Sequence, residues 1–155
     1  MNCPRLVIIV PCSGAKADVE LYGQLPAGEL YSGTFHRYAR HAAERLGAEV
    51  IILSAYHGLV TVDKLLGSYD FKMGDEGGLG DKPSIIAKQA AALGLLGPDV
   101  TVVAFTPNAY TAPLAAAIDG LVTPLAGSRG IGEQRGRIAR FTFDGARPEQ
   151  LTLSI

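Results

Sequence analysis

Four short stretches of the chain are continuously apolar and rich in β-branched residues: 6–10, 50–53, 100–105 and 121–125. Unbroken apolar runs of this length are expected of parallel strands covered on both faces. Between them the pattern changes to a helical period. Phe35, Tyr38, Ala39, Ala42 and Leu46 form an apolar stripe, Arg37, Arg40, Glu44 and Arg45 lie opposite, and Gly47 supplies a stop. A second helix is predicted with Asp81 as N-cap and Pro83 in the first turn. Ile85, Ile86, Gln89, Ala90, Leu93 and Leu96 run along one side, and it ends at Gly97-Pro98. A third, shorter helix fits 113–118, closed by Gly120. The end of the chain, 137–143 and 151–155, reads equally as a helix tail or as extended segments. Strands alternating with helices predict an α/β fold: a three-layer sandwich with a mainly parallel central sheet and right-handed crossovers. No repeat or linker divides the chain, so a single domain over 1–155 is expected.

Composition narrows the class. The 155 residues are 48% apolar and 19% charged, which excludes a disordered chain or a coiled coil. A net charge of −1 provides no global positive field for a nucleic acid. The two cysteines, Cys3 and Cys12, cannot build a disulfide framework, and neither stands in a zinc-type spacing. With no signal-peptide pattern at the start, a reducing, cytoplasmic setting is expected. The run 6–10 is far too short to span a membrane. No HExxH, CxxC or paired-histidine spacing occurs, so neither a metal nor another cofactor is expected. The 19 glycines are concentrated in loops rather than spread through the chain.

In α/β folds ligands sit at the carboxyl ends of the strands, and the four predicted strand ends carry the least hydrophobic stretches. The first contains Cys12, Ser13, Gly14 and Lys16, the makings of an anion cradle: open backbone, a hydroxyl and a point charge. It lacks the Walker spacing, and it reads also as a Ser/Gly turn with a solvated lysine. Cys12 suits either a small buried hydrophobe or a thiolate nucleophile. The second holds Ser54, Tyr56, His57 and Gly58. His57 stands where acid–base work near neutral pH is feasible, or where a histidine bonds a turn carbonyl. The third runs from Thr106 to Tyr110. The fourth, with Gly127, Ser128, Gly130 and Gly132 ahead of a predicted helix, suits anion binding by backbone N–H groups. Glu133 there either caps the helix or contacts a ribose or base edge. His36 would reach the cleft from the first turn of its helix, whereas His41 is read as solvated. A long glycine-rich loop, about 60–80, carries Tyr69 and Asp70 and reads as a lid or binding loop, with Asp70 as a general base or charge stabiliser.

Five ordered motifs, CSxxK at Cys12–Lys16, an ALY-type segment around Tyr31, LSAxxGLV ending at Val60, YDxxM from Tyr69 to Met73, and GIGEQ ending at Gln134, give the chain a family likeness. It resembles an uncharacterised bacterial and phage family, a domain of unknown function, over about residues 6–140. It departs from that pattern at Tyr56, where a basic residue is common, and at Arg135, Arg137 and Arg140. The CSxxK and GLV segments are also similar to a domain of archaeosine synthase and, more loosely, to YaaA-like proteins. That resemblance implies a site for a nucleobase or nucleotide.

The expected function is therefore an enzyme acting on the N-glycosidic bond of a nucleotide or modified base, by hydrolysis or transfer. Asp70 or Glu133 would stabilise an oxocarbenium-like transition state and His57 would serve as the acid. Ser13, Lys16, Ser128 and the glycine amides would hold phosphate, and Tyr31, Tyr56 or Tyr69 would stack the base. The alternative is a non-catalytic nucleotide or nucleic-acid binding module of a base-modification system. Arg37, Arg40, Arg45, Arg129, Arg135, Arg137 and Arg140 would then supply local basic patches, although near-zero charge favours a small nucleotide. A homo-oligomer is compatible with either.

Overall fold

The computed structural model describes residues 5–17 and 23–141. Cys3 and the part of the predicted tail from 142 onward lie outside the described residues. In chain order the elements are β1 (Arg5–Pro11), β2 (Leu25–Pro26), α1 (Ala27–Leu30), α2 (Thr34–Arg45), β3 (Glu49–Ser54), β4 (Gly58–Thr61), β5 (Leu65–Leu66), α3 (Pro83–Ala92), β6 (Val100–Ala104), α4 (Asn108–Ala117) and α5 (Ile131–Arg140).

The fold is mixed α/β around a four-stranded, mainly parallel sheet of order β4-β3-β1-β6. β1 is central and parallel to both β3 and β6, and β4 returns antiparallel beside β3. The apolar run of β1 is buried on both sides, as its unbroken pattern requires. Val7 and Ile9 share a core with Ile86 and Ala90 of α3 and Leu114 of α4. Leu6, Ile8 and Val10 share another with Ala39, Ala42 and Ala43 of α2 and Ile138 of α5. β2 and β5 form a separate two-stranded ribbon. No described helix is long and apolar enough to cross a membrane.

Several boundaries differ from the sequence expectation. The fourth predicted strand is reduced to one parallel bridge, Val122 to Val103, because Pro124 has no N–H with which to continue the pairing. α4 starts at Asn108, not at Pro113, which lies inside the helix. Its first turn is secured by Thr111, whose hydroxyl reaches the Thr106 and Pro107 carbonyls at 3.0 and 3.1 Å. At α3, Pro83 does occupy the first turn, but the N-cap residue is Lys82 and no side chain caps it. Asp81 instead lies 3.7 Å from the Lys82 ammonium. Residues 137–140 of the undecided tail are helical, in α5.

The glycine-rich loop is shorter and better anchored than a free lid. Residues 58–61 form β4, with Leu59 in one core and Val60 in the other. Further on, the Leu79 and Gly80 N–H groups donate to the Tyr56 and Ala55 carbonyls at 3.0 and 3.1 Å, tying the loop's end to the β3–β4 turn.

The path of the chain determines where a ligand fits. After β1 it passes through β2 and α1 into α2 on one face of the sheet, and after β6 it enters α4 on the other. Neighbouring strands whose following helices diverge leave a crevice between their carboxyl ends.

Candidate functional site

A cavity of about 370 Å³ opens at that crevice. Its walls are the loop from Pro11 to Ala15, Gly33 to His36 at the start of α2, Pro107 and Tyr110 at the start of α4, and Ile131 and Gln134 of α5. Three helices thus begin at one cavity, and none has a side-chain cap on its first turn. Uncapped first-turn N–H groups and the positive ends of the helix dipoles favour an anion here. A larger recess of about 440 Å³, between Arg40, Glu29, Glu44 and Asp63, lies at the opposite end of β3, beside Val50.

The first loop is held by Ser13. Its hydroxyl donates to the Ala15 carbonyl at 2.6 Å and accepts the Gly33 N–H at 3.1 Å. A Cβ on Gly33 would stand 2.6 Å from the Ser13 Cβ, so only glycine permits this approach of loop and helix start. Cys12 is buried, its Sγ 3.3 Å from Tyr110 Oη and accepting the Ala55 N–H at 3.4 Å. His36 is buried as well. Its Nδ1 bonds the Pro11 carbonyl at 2.7 Å, while its Nε2 has no partner among the described residues. Burial, and to a lesser extent the nearby Arg40 and His41 charges, bring its pKa down to about 4, so the ring is neutral at pH 7.

A second cluster adjoins the first loop. Tyr31, Tyr56, His57, Tyr69 and Phe71 stack edge-on or tilted, with ring centroids 4.9–6.3 Å apart. Its hydrogen-bonding hub is the buried Ser54. The Ser54 hydroxyl accepts the Tyr56 and His57 N–H groups at 3.2 and 3.0 Å, so its own proton goes to Tyr69 Oη at 2.7 Å. Tyr69 Oη in turn lies 2.5 Å from Tyr31 Oη. Burial raises the pKa of both phenols, which remain protonated. Lys16 stands over the Tyr69 ring, 4.3 Å from its centroid. Partial burial lowers the Lys16 pKa, opposed by the Cys12 and Asp70 charges. His57 is half-buried, and burial followed by the Lys64 charge lowers its pKa. The turn that carries it is gripped by Gln89, whose amide donates to the His57 carbonyl at 2.9 Å and accepts the Leu59 N–H at 2.7 Å.

Of the residues singled out in the sequence, Cys12, Ser13 and Gly14 line the cavity. Lys16, Tyr31, Ser54, Tyr56, His57 and Tyr69 gather in the aromatic cluster. Asp70 is exposed, near enough to Lys16 to act on its charge. Gly127, Ser128, Gly130 and Gly132 are not among the cavity's walls; the helix they precede enters it through Ile131 and Gln134. Ser128 is buried, and its carbonyl accepts the Asn108 amide at 3.2 Å. Glu133 faces neither group of residues. One of its oxygens accepts the Arg129 N–H at 3.1 Å and the other pairs with Arg137 at 2.7 Å, and the backbone bond foremost lowers its pKa. The sequence reading missed Gly33, Thr34 and Phe35 as wall residues, while Gln134 belongs to the fourth strand-end stretch it placed there. A Ser-Gly-Thr start to α2 was the available signal for the first two. Among the described residues no three His, Cys, Asp or Glu gather as a metal site.

No curated protein and no solved structure matches the chain. Over residues 7–140, which hold every element from the centre of β1 to the end of α5, the chain belongs to a family of unknown function, DUF6884.

Proposed function

We propose that the chain is an enzyme acting on the N-glycosidic bond of a nucleotide, with phosphate in the crevice and the base against the aromatic cluster. We read its helices and sheet as the three-layer sandwich that supports such a site. The observation that carries the proposal is the convergence of three uncapped helix starts and the Ser13 loop on one cavity, beside a wall of tyrosines. A phosphate monoester fits the first and a planar base the second. The resemblance of the CSxxK and GLV segments to base-modifying proteins points the same way.

In this reading Asp70, exposed beside Lys16, is the carboxylate that stabilises positive charge on the sugar. Glu133 is the poorer candidate, since both its oxygens are engaged. His57, whose lowered pKa keeps it neutral near pH 7, suits taking a proton from an attacking water better than giving one to the departing base. The second reading, a non-catalytic nucleotide-binding module, is favoured by the cavity walls themselves, which contain no carboxylate among the described residues.

Incubation with nucleoside monophosphates, including 7-deazapurine and 5-modified pyrimidine forms, separates the two. Base release or exchange that Asp70→Asn abolishes while binding persists supports the enzyme. Binding without release or exchange leaves only the module, and no binding removes both.

A further inference from the structure

Beside the main cavity lies a smaller recess of about 280 Å³, walled by Thr34, Arg37, Tyr38, His41 and Arg135. Thr34 belongs to both, and Arg135 follows Gln134 of the main cavity along α5, so the two are contiguous across the first turn of α2. Among the described residues no carboxylate lines this recess. Among the described residues neither Arg37 nor Arg135 forms an ion pair, whereas Arg40 pairs with Glu44 and Arg137 with Glu133.

The arrangement is built rather than incidental. The Arg135 guanidinium is held over the Tyr38 ring, 5.2 Å from its centroid, and the Tyr38 hydroxyl donates to the Arg135 carbonyl at 3.3 Å. The Nε of Arg135 is buried without a hydrogen-bond partner among the described residues. A buried charged donor left unmatched is costly unless something occupies it. Two guanidinium groups facing one space repel each other, and a group with several anionic oxygens removes both penalties at once.

We propose that this recess is a second phosphate subsite, for a ligand that carries one phosphate in the crevice and another beyond it. The inference rests on the nucleotide reading of the main cavity. Its ligand is then a nucleoside bisphosphate or a short oligonucleotide, which share the second phosphate.

The test compares binding of nucleoside 5′-monophosphates, the matching 3′,5′-bisphosphates and 5′-phosphorylated dinucleotides by calorimetry, for the wild type and for Arg37→Gln with Arg135→Gln. The second phosphate is expected to tighten binding on the order of tenfold, an advantage the double variant loses while keeping its monophosphate affinity. The exposed Arg37→Gln alone gives part of the loss and keeps the test readable if the change at Arg135 disturbs α5. Dinucleotides that gain as much as bisphosphates assign the site to a nucleic-acid end; a gain for bisphosphates alone assigns it to a small nucleotide. Monophosphate binding with no gain from a second phosphate overturns the subsite and leaves the main cavity's reading intact. Failure of every nucleotide to bind overturns both.

Discussion

The Nδ1–H of His36 donates to the Pro11 carbonyl across 2.7 Å, joining the first turn of α2 to the end of the central strand. This bond settles the tautomer: Nδ1 carries the proton, and the unpartnered Nε2 presents a lone pair.

A pH dependence follows from that burial. The folded pKa of about 4 lies below the ordinary 6.5, so between these values the unfolded chain binds a proton that the folded chain does not. The stabilisation from a neutral His36 is complete above pH 6.5 and is lost as the pH falls towards 4. It amounts to at most about 3 kcal/mol. His36→Phe keeps a planar ring, somewhat bulkier than the imidazole, but leaves the Pro11 carbonyl unmatched, costing about 1–3 kcal/mol at pH 7. Urea melts from pH 7 to 4 should show a steeper loss for the wild type than for His36→Phe. Parallel curves would contradict the assignment.

The Ser54 hydroxyl serves two backbone donors and one phenol, so its removal strands three groups. Ser54→Ala is expected to cost about 2 kcal/mol, and Tyr31→Phe, which removes only the outer hydroxyl bonded to Tyr69, about 1 kcal/mol. Thermal melts of the two variants measure the difference. Equal losses would mean that Ser54 is not the hub.

Gly58 and Gln89 form a coupled pair. Gly58 has φ +78, and a Cβ there would lie 2.2 Å from the Gln89 Oε1 that holds the Leu59 N–H. Gly58→Ala therefore strains the backbone and displaces the clamp, at about 2 kcal/mol or more. In a Gln89→Ala background only the backbone strain remains. A double-mutant cycle in denaturant should show Gly58→Ala costing less there, with a coupling of about 1 kcal/mol. Strict additivity would separate the turn from Gln89.

These contacts also explain what was legible in advance. The unbroken apolar runs of β1, β3 and β6 carry their own evidence, because strands buried on both faces leave no polar positions. The stripe on α2 was equally plain, since Ala39 and Ala42 must face a core. β4 was hidden because four residues are too few to show a period, and its turn has the composition of a site loop. The start of α4 was hidden because a proline usually marks a helix's first turn, and here the hydroxyl of Thr111 defines that turn instead. At the site, the loop after β1 was readable from its residue types, and its pairing with the start of α2 was not. That pairing depends on a steric fit between residues twenty positions apart, which leaves no local pattern.

That fit is itself testable through Ser13 and Gly33. Because φ at Gly33 is an ordinary −65, alanine there meets no backbone penalty, and its whole effect is the 2.6 Å collision with the Ser13 Cβ. Gly33→Ala should therefore destabilise the fold by about 1–3 kcal/mol, as overpacking does, and displace the loop that walls the cavity. Ser13→Gly alone should cost about 1 kcal/mol, because the Gly33 N–H and the Ala15 carbonyl lose their shared hydroxyl. Combined, the two changes should cost less than Gly33→Ala alone, since removing the Ser13 Cβ removes the collision. The sign of Ser13→Gly thus reverses with the residue at 33. Chemical denaturation of the four proteins reads this directly, and a Ser13→Gly effect of the same sign in both backgrounds would show that the loop and the helix start are not packed against each other.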